Sequence, residues 1–253
     1  MARKQADFMN SFAKGLRVIE AFDADNSQRT ISQIAAETGL DRATARRCLL
    51  TLTELGYADY DGKYFSLTHR VLRLGVAALA SMELPQLVQP WLDQLSDRIG
   101  QSSSVSILDG NEIVYIARAS QRRVMSIRLM PGSRLPAFCT SMGRVLLAAL
   151  PESEARLVVE ASDLSPRTVN SLTDVADIMA ELARVRTQGH AFVDQEIELG
   201  LRSIAVPLLN TRGQVVAALN AGFVAGTDDP AAIIARYLPE LTRVQSGVRK
   251  SLH

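Results

Sequence analysis

The residues with the clearest chemistry are Arg42, Arg46 and Arg47, three guanidinium groups within six positions. A guanidinium fork bridges phosphates and binds guanine O6 and N7 bidentately, so this grouping at a helix start suits the major groove of duplex DNA. Advancing about 100° per residue from Asp41 to Leu55 gathers Ala45, Cys48, Leu49, Leu52 and Leu55 on one arc. Arg42, Ala43, Arg46, Arg47 and Leu50 fall on the opposite side. Thr44 and Thr51 flank that face, within reach of a phosphate, a base or a thymine methyl. Lys63, near a predicted hairpin tip, is a candidate wing contact to the sugar–phosphate backbone, which positions a domain without reading sequence. The competing reading of the arginines is a solvated basic face, so the order of the surrounding elements has to decide.

A second group of residues suits a small anion. Ser141-Met142-Gly143 opens a predicted helix, and the free backbone N–H groups there, with the positive end of the helix dipole, favour a carboxylate. Arg122 and Arg134 are candidates to pair with an aromatic carboxylate, and a solvated or structural arginine remains equally open for each. Asp194, Glu196 and Glu198 alternate as a metal or acid/base cluster would, yet no histidine lies at ligand spacing, and a loop of solvated carboxylates is the preferred reading. His190 follows Gly189 at a helix end, where it caps or is exposed. Cys48 and Cys139 each sit in an apolar pattern, which suggests neither a disulfide nor a zinc site. No metal and no cofactor are expected.

Catalysis is the rival function. Cys139-Thr140-Ser141-Met142-Gly143 is not a Gly-x-Ser-x-Gly elbow, and His69, His190 and His253 are poor partners for a Ser141 nucleophile. Phosphate-loop and dinucleotide-binding glycine patterns are absent. The expectation is a protein that is not an enzyme. A second rival is a protein-binding module with no DNA partner; a steep fall of log affinity with log salt separates it from a DNA binder.

The elements that must position these residues follow from periodicity. A helix is predicted over Phe12–Phe22, with Phe12, Leu16, Ile19 and Phe22 at helical spacing, and a second over Ile31–Thr38. Thr38-Gly39-Leu40 reads as a tight turn, and Asp41 as the N-cap of the arginine-bearing helix, which stops at Gly56. Tyr57–Tyr60 and Lys63–Leu67 read as two strands joined at Asp61-Gly62. Helices, turn and hairpin in this order make a winged helix-turn-helix. Thr68 to Met82 reads as a connecting helix before Pro85. Beyond it, helices are expected at 87–99, 141–150, 152–161, 173–189 and 230–250. Strands are expected at 103–108, 113–117, 124–129, 191–194, 203–210 and 215–223. The sum is an α+β chain: a DNA-binding domain is expected at residues 1–67, a linker helix at 68–84, and an effector-binding and oligomerisation domain, an antiparallel sheet flanked by helices, at 85–253. With 253 residues, 47% of them hydrophobic, the chain can bury large cores, and its net charge of +1 leaves partners to local placement. No apolar run approaches the roughly 20 residues of a membrane span, and no secretory segment is read at the N-terminus, so a cytoplasmic protein is expected. A duplex operator further implies a two-fold assembly, at least a dimer.

The chain resembles the IclR family of bacterial transcriptional regulators over nearly its whole length. The likeness rests on Lys14–Phe22, Ile34–Leu40, Leu52–Tyr57, Cys139–Ala148, Asp194-Gln195-Glu196 and Gly200–Leu208. Within the family, Ala43–Leu52 and Asp61–Phe65 look closest to the regulators of aromatic-acid catabolism through the β-ketoadipate pathway, the group of PcaR, PcaU and PobR. The resemblance implies a GAF-like effector domain, homodimers or homotetramers on double-stranded operator DNA, and activation or repression of a catabolic operon. It implies a small carboxylate effector of the protocatechuate, 4-hydroxybenzoate or β-ketoadipate class, with a non-aromatic acid such as a short keto acid as the alternative. By position it implies effector contacts at Ser141, Met142, Gly143, Asp194, Ser203, Leu219 and Ala221. Asn220 joins them as a candidate, although this chain departs from the small serines common on that strand, and Asn220 is free to face away.

Overall fold

The structure, a computed structural model, describes residues 8–23, 26–75, 83–121 and 129–252. It divides into two compact units, 1–81 and 82–253.

The first unit contains α1 (Asn10–Glu20), β1 (Gln28–Arg29), α2 (Ile31–Thr38), α3 (Arg42–Glu54), β2 (Ala58–Tyr60) and β3 (Phe65–Leu67). Local signals fix the α2–α3 turn. Thr30 and Gln33 form a reciprocal capping box at the start of α2, and Gly39 ends it with φ 65°. Asp41 then caps α3, its carboxylate accepting the Thr44 N–H at 2.8 Å. Hydrogen bonding from Thr44 holds that carboxyl below its ordinary range. At the hairpin, Asp61 accepts the N–H groups of Lys63 and Tyr64, and Gly62 takes φ 103°. The sheet order is β1-β3-β2, antiparallel throughout. β1 was not anticipated: two residues carry no period and pair only because β3 lies beside them.

Val18, Ile34, Ala35, Ala45, Leu49, Leu52 and Phe65 form this unit's core. Two expectations fail here. Only the C-terminal end of α1 and the residues that follow it pack, through Val18, Ile19, Ala21 and Phe22, while Phe12 and Leu16 are 64% and 40% exposed. Leu55 is exposed too, because it is the C-cap residue where α3 ends. After a 3-10 turn at His69–Val71, residues 72–75 are helical; the rest of the expected connecting helix, to Met82, lies outside the described residues.

The second unit runs α4 (Glu83–Ile99), β4 (Ser102–Asp109), β5 (Glu112–Ala119), β6 (Arg134–Pro136), α5 (Ser141–Ala149), α6 (Glu152–Glu160), α7 (Val175–Gln188), β7 (Ala191–Asp194), β8 (Leu201–Leu209), β9 (Val215–Val224) and α8 (Pro230–Arg249). One antiparallel sheet, ordered β6-β5-β4-β9-β8-β7, separates two cores. On one face α4 and α8 bring Val88, Leu92, Leu95, Tyr237, Leu241 and Val244 against Val105, Ile204, Val206, Leu219, Ala221 and Phe223. On the other, α5, α6 and α7 bring Met142, Val145, Leu146, Val159, Ile178 and Leu182 against Ile113, Tyr115, Ala205 and Ala218. Alternation along β8 and β9 assigns neighbouring residues to opposite cores. β6 was missed, being three residues long, and most of the strand expected at 124–129 lies outside the described residues. Among the described residues no helix is long and apolar enough to cross a membrane.

Candidate DNA-reading face and effector pocket

α3 turns Ala45, Leu49 and Leu52 into its own unit and leaves Arg42, Ala43, Arg46, Arg47 and Leu50 exposed. Arg42 and Arg46 have no carboxylate partner among the described residues, and the Arg47 guanidinium only donates to the Thr44 hydroxyl at 3.3 Å. Thr44 departs from its expected place: it is buried, because the Asp41 cap draws the first turn of α3 against the unit. Thr51 is exposed, and its hydroxyl donates back to the Arg47 carbonyl at 2.9 Å. Lys63 is exposed at the hairpin, its ammonium 4.7 Å from the Tyr64 ring centre.

In the second unit, the N-terminus of α5 stands over the sheet. Thr140 caps it, accepting the Gly143 N–H at 3.2 Å, and Gly143 is required there: a Cβ would lie 2.1 Å from the Ala137 carbonyl oxygen. Between this helix end and the strands lies a pocket with apolar walls at Leu129, Leu135, Met142, Ile197 and Leu201. Its polar lining comes from Ser102, Arg118, Thr140, Ser141, Ser203 and Asn220. Ser141 is 1% exposed, and its hydroxyl oxygen is buried without a hydrogen-bond partner among the described residues. Such a group loses the hydrogen bonds it made to water and gains none, a cost a ligand removes by bonding to it. Tyr115 also lines the pocket, and burial pushes its phenol up to about 12, so it keeps its proton at neutral pH.

Of the residues expected to contact an effector, Ser141, Met142, Ser203 and Asn220 line this pocket, and Gly143 seats the helix behind it. The others diverge. Leu219 and Ala221 point into the α4–α8 core, since β9 alternates and Asn220 takes the pocket side. Asp194 lies outside the lining; its carboxylate accepts from Arg202 Nε at 2.8 Å, a hydrogen bond that holds it below the usual carboxylate range. Arg134 is an exposed residue of β6, ion-paired to Asp109 at 2.8 Å and Glu112 at 2.7 Å, because β6 pairs beside β5 and brings it to the β4–β5 turn. Arg122 lies outside the described residues.

Glu196 corrects the picture of a solvated acidic loop. It is buried and accepts from Arg144 Nη2 at 2.6 Å and from the Leu172 N–H at 3.2 Å. Burial pushes this carboxyl up, and Arg144 pulls it back. Arg144 is itself 2% exposed, donates to the Phe138 carbonyl at 3.0 Å and lies 3.8 Å from Glu181. It therefore ties the loop before α5, the 195–200 loop that carries Ile197, and α7 into one cluster. Sequence reasoning passed over Arg144 and Arg118, although each carried a signal: a lone arginine inside an apolar helix or strand is drawn at least part-way out of water, where its charge calls for partners. Cys139 is an inert neighbour, its thiol pushed up to about 12 by burial. The ring Nδ1 of His190 lies 3.1 Å from the Gln188 carbonyl oxygen at the end of α7.

Residues 11–62 match the IclR helix-turn-helix domain, and residues 76–226 match the bacterial transcriptional regulator IclR C-terminal domain. The chain belongs to the IclR family of bacterial transcriptional regulators. Among its relatives in the family, the Pca regulon regulatory protein of Pseudomonas putida is 46% identical over 236 residues, 93% of this chain and 81% of that one. A regulator from Rhodococcus sp. RHA1 of known structure is 43% identical, with a TM-score of 0.78 over 97% of this chain and 98% of that one. The inducer-binding domain of the transcription factor PobR from Acinetobacter, solved as a double mutant in complex with 3-hydroxybenzoic acid, is 32% identical, with a TM-score of 0.60 over 66% of this chain and 98% of that one.

Proposed function

We propose that this IclR-family protein is a ligand-responsive DNA-binding regulator of a catabolic operon, its second unit sensing a small aromatic or dicarboxylic acid. The observation that carries the reading is α3, which turns Arg42, Arg46 and Arg47 outward, without carboxylate partners among the described residues, from a helix whose other side is core. Exposed guanidinium groups on a rigid, capped helix meet phosphates and guanine edges at low conformational cost. Ala43 and Thr51 share that face, and Lys63 of the hairpin contacts the DNA backbone. The effector reading is supported by the pocket under α5 and by the relatives' names, one a Pca regulon regulator and one a domain bound to a hydroxybenzoic acid. The protein acts in the cytoplasm as a homodimer or homotetramer, matching the two-fold symmetry of an operator. It catalyses no reaction.

Fluorescence anisotropy on promoter fragments flanking its own coding sequence, across a salt series, tests the DNA reading. Log affinity is expected to fall linearly and steeply with log salt as phosphate contacts release counterions. A response to salt that stays flat, or equal affinity for promoter and random duplex, would overturn it.

A further inference from the structure

β5 carries a cation that none of the expected site residues includes. Arg118 donates through Nε to the Ser120 hydroxyl and through Nη1 to the Ser104 hydroxyl, each at 2.9 Å. Both acceptors are neutral, and among the described residues Nη2 has no partner. Arg118 is half-buried, yet no carboxylate among the described residues approaches it to ion-pairing distance, unlike Arg144 with Glu196 and Arg202 with Asp194. The neighbouring stretch Arg122-Arg123-Val124-Met125-Ser126-Ile127-Arg128 holds no aspartate or glutamate either. Burial pulls the guanidinium down from its ordinary value, and an arginine nonetheless stays charged at neutral pH. A half-desolvated charge with only hydroxyl partners is costly to keep, and an anion removes the cost.

The strand register shows what surrounds it. Arg118 lies opposite Ser104, and Ser104 opposite Asn220; in the next row on the same face Ser102 lies opposite Gly222, and Gly222 opposite Ser203. Arg118, Asn220, Ser102, Gly222 and Ser203 all line the pocket. Arg118 thus heads a strip of small neutral polar groups and is the one formal charge on the strip. Gly222 keeps the strip open, since a Cβ there would meet nothing within 4 Å. Across the pocket stands the Ser141 hydroxyl at the start of α5, without a partner among the described residues.

We infer that Arg118 is the counter-ion of the effector, receiving the carboxylate of a small acid on Nη2 and the free N–H of Nη1, while Ser141 hydrogen-bonds the opposite end. The assignment rests on the pocket being the effector site, and it makes Arg118 the residue that selects acids over neutral analogues. A carboxylate has two oxygens in the spacing of the guanidinium fork, and an amide has one oxygen and no charge to offer it.

Calorimetric titration of the full chain with 4-hydroxybenzoate, 3,4-dihydroxybenzoate and 3-oxoadipate, each against its amide, tests the assignment on wild type, Arg118→Gln, Arg118→Lys and Ser141→Ala. Wild type is expected to prefer an acid. Arg118→Gln is expected to weaken that acid about ten- to a hundredfold and to bring acid and amide together. Arg118→Lys keeps the charge without the fork and is expected to restore part of the preference; it also reads the same ratio should circular dichroism show that the glutamine variant is unfolded. Ser141→Ala is expected to weaken acid and amide alike, leaving their ratio intact. If Ser141→Ala weakens binding while both Arg118 variants keep the wild-type ratio, Arg118 is not the counter-ion and the pocket reading stands. If wild type binds none of these acids, or if neither position affects binding, the pocket is not the effector site and the assignment falls with it.

Discussion

The same residue type does opposite work on α3 and in the second unit's core, where it is paired as Arg29 is beside Asp23 and Glu37 in the first unit. On α3 the guanidinium groups of Arg42, Arg46 and Arg47 are on exposed residues and form no ion pair among the described residues, Arg47 only adding its field to the Asp41 cap. In the second unit Arg144, Arg202 and Arg134 are held by Glu196, Asp194 and Glu112. An arginine whose charge is answered internally holds the fold together; one without an acid among the described residues, as exposed Arg156 also is, stays available to an anion from outside. By that criterion Arg118 belongs with α3 despite its place in the effector unit.

The contrast can be broken at its strongest point first. Arg144→Ala leaves Glu196 buried without its cation, and losing one partner of a buried pair costs about 3–5 kcal/mol. Denaturant unfolding with a probe in the second unit measures this, and an unchanged midpoint would mean that the pair contributes nothing. Next comes Arg47→Ala, expected to cost about 1–3 kcal/mol of operator affinity if its fork reads a base, with stability unmoved. Equal losses on operator and random duplex would reassign it to a phosphate. Smallest is Arg134→Ala, a partly exposed pair with Asp109 and Glu112 worth at most about 1 kcal/mol, and neutral toward any effector. A drop in effector affinity there, seen by calorimetry, would return Arg134 to the site.

What the sequence made legible was local. Gly39 and Asp41 announce the α2–α3 turn, and Gly189 ends a helix in the same way, so the winged unit and most helices stand where periodicity put them. Contacts made across the chain were not. Glu196 meets an arginine 52 positions away, and nothing near it in sequence distinguishes it from a solvated carboxylate. Both faces of β9 are buried, so composition cannot say which of Leu219, Asn220 and Ala221 faces the pocket; only the register to β4 and β8 does. Arg134 was drawn to the site by its closeness in sequence to the loop before α5, whereas β6 pairing carries it elsewhere.

Gly143 has one further consequence. With the Ala137 backbone pressed against it, α5 has no slack on that side, and the ceiling of the pocket beneath it is fixed. On the effector reading proposed above, a descendant of this protein that came to accept a bulkier compound would have to carve the extra room from Leu129, Ile197 or Leu201, so drift in ligand preference is expected to be written in those three positions while the helix itself stays put.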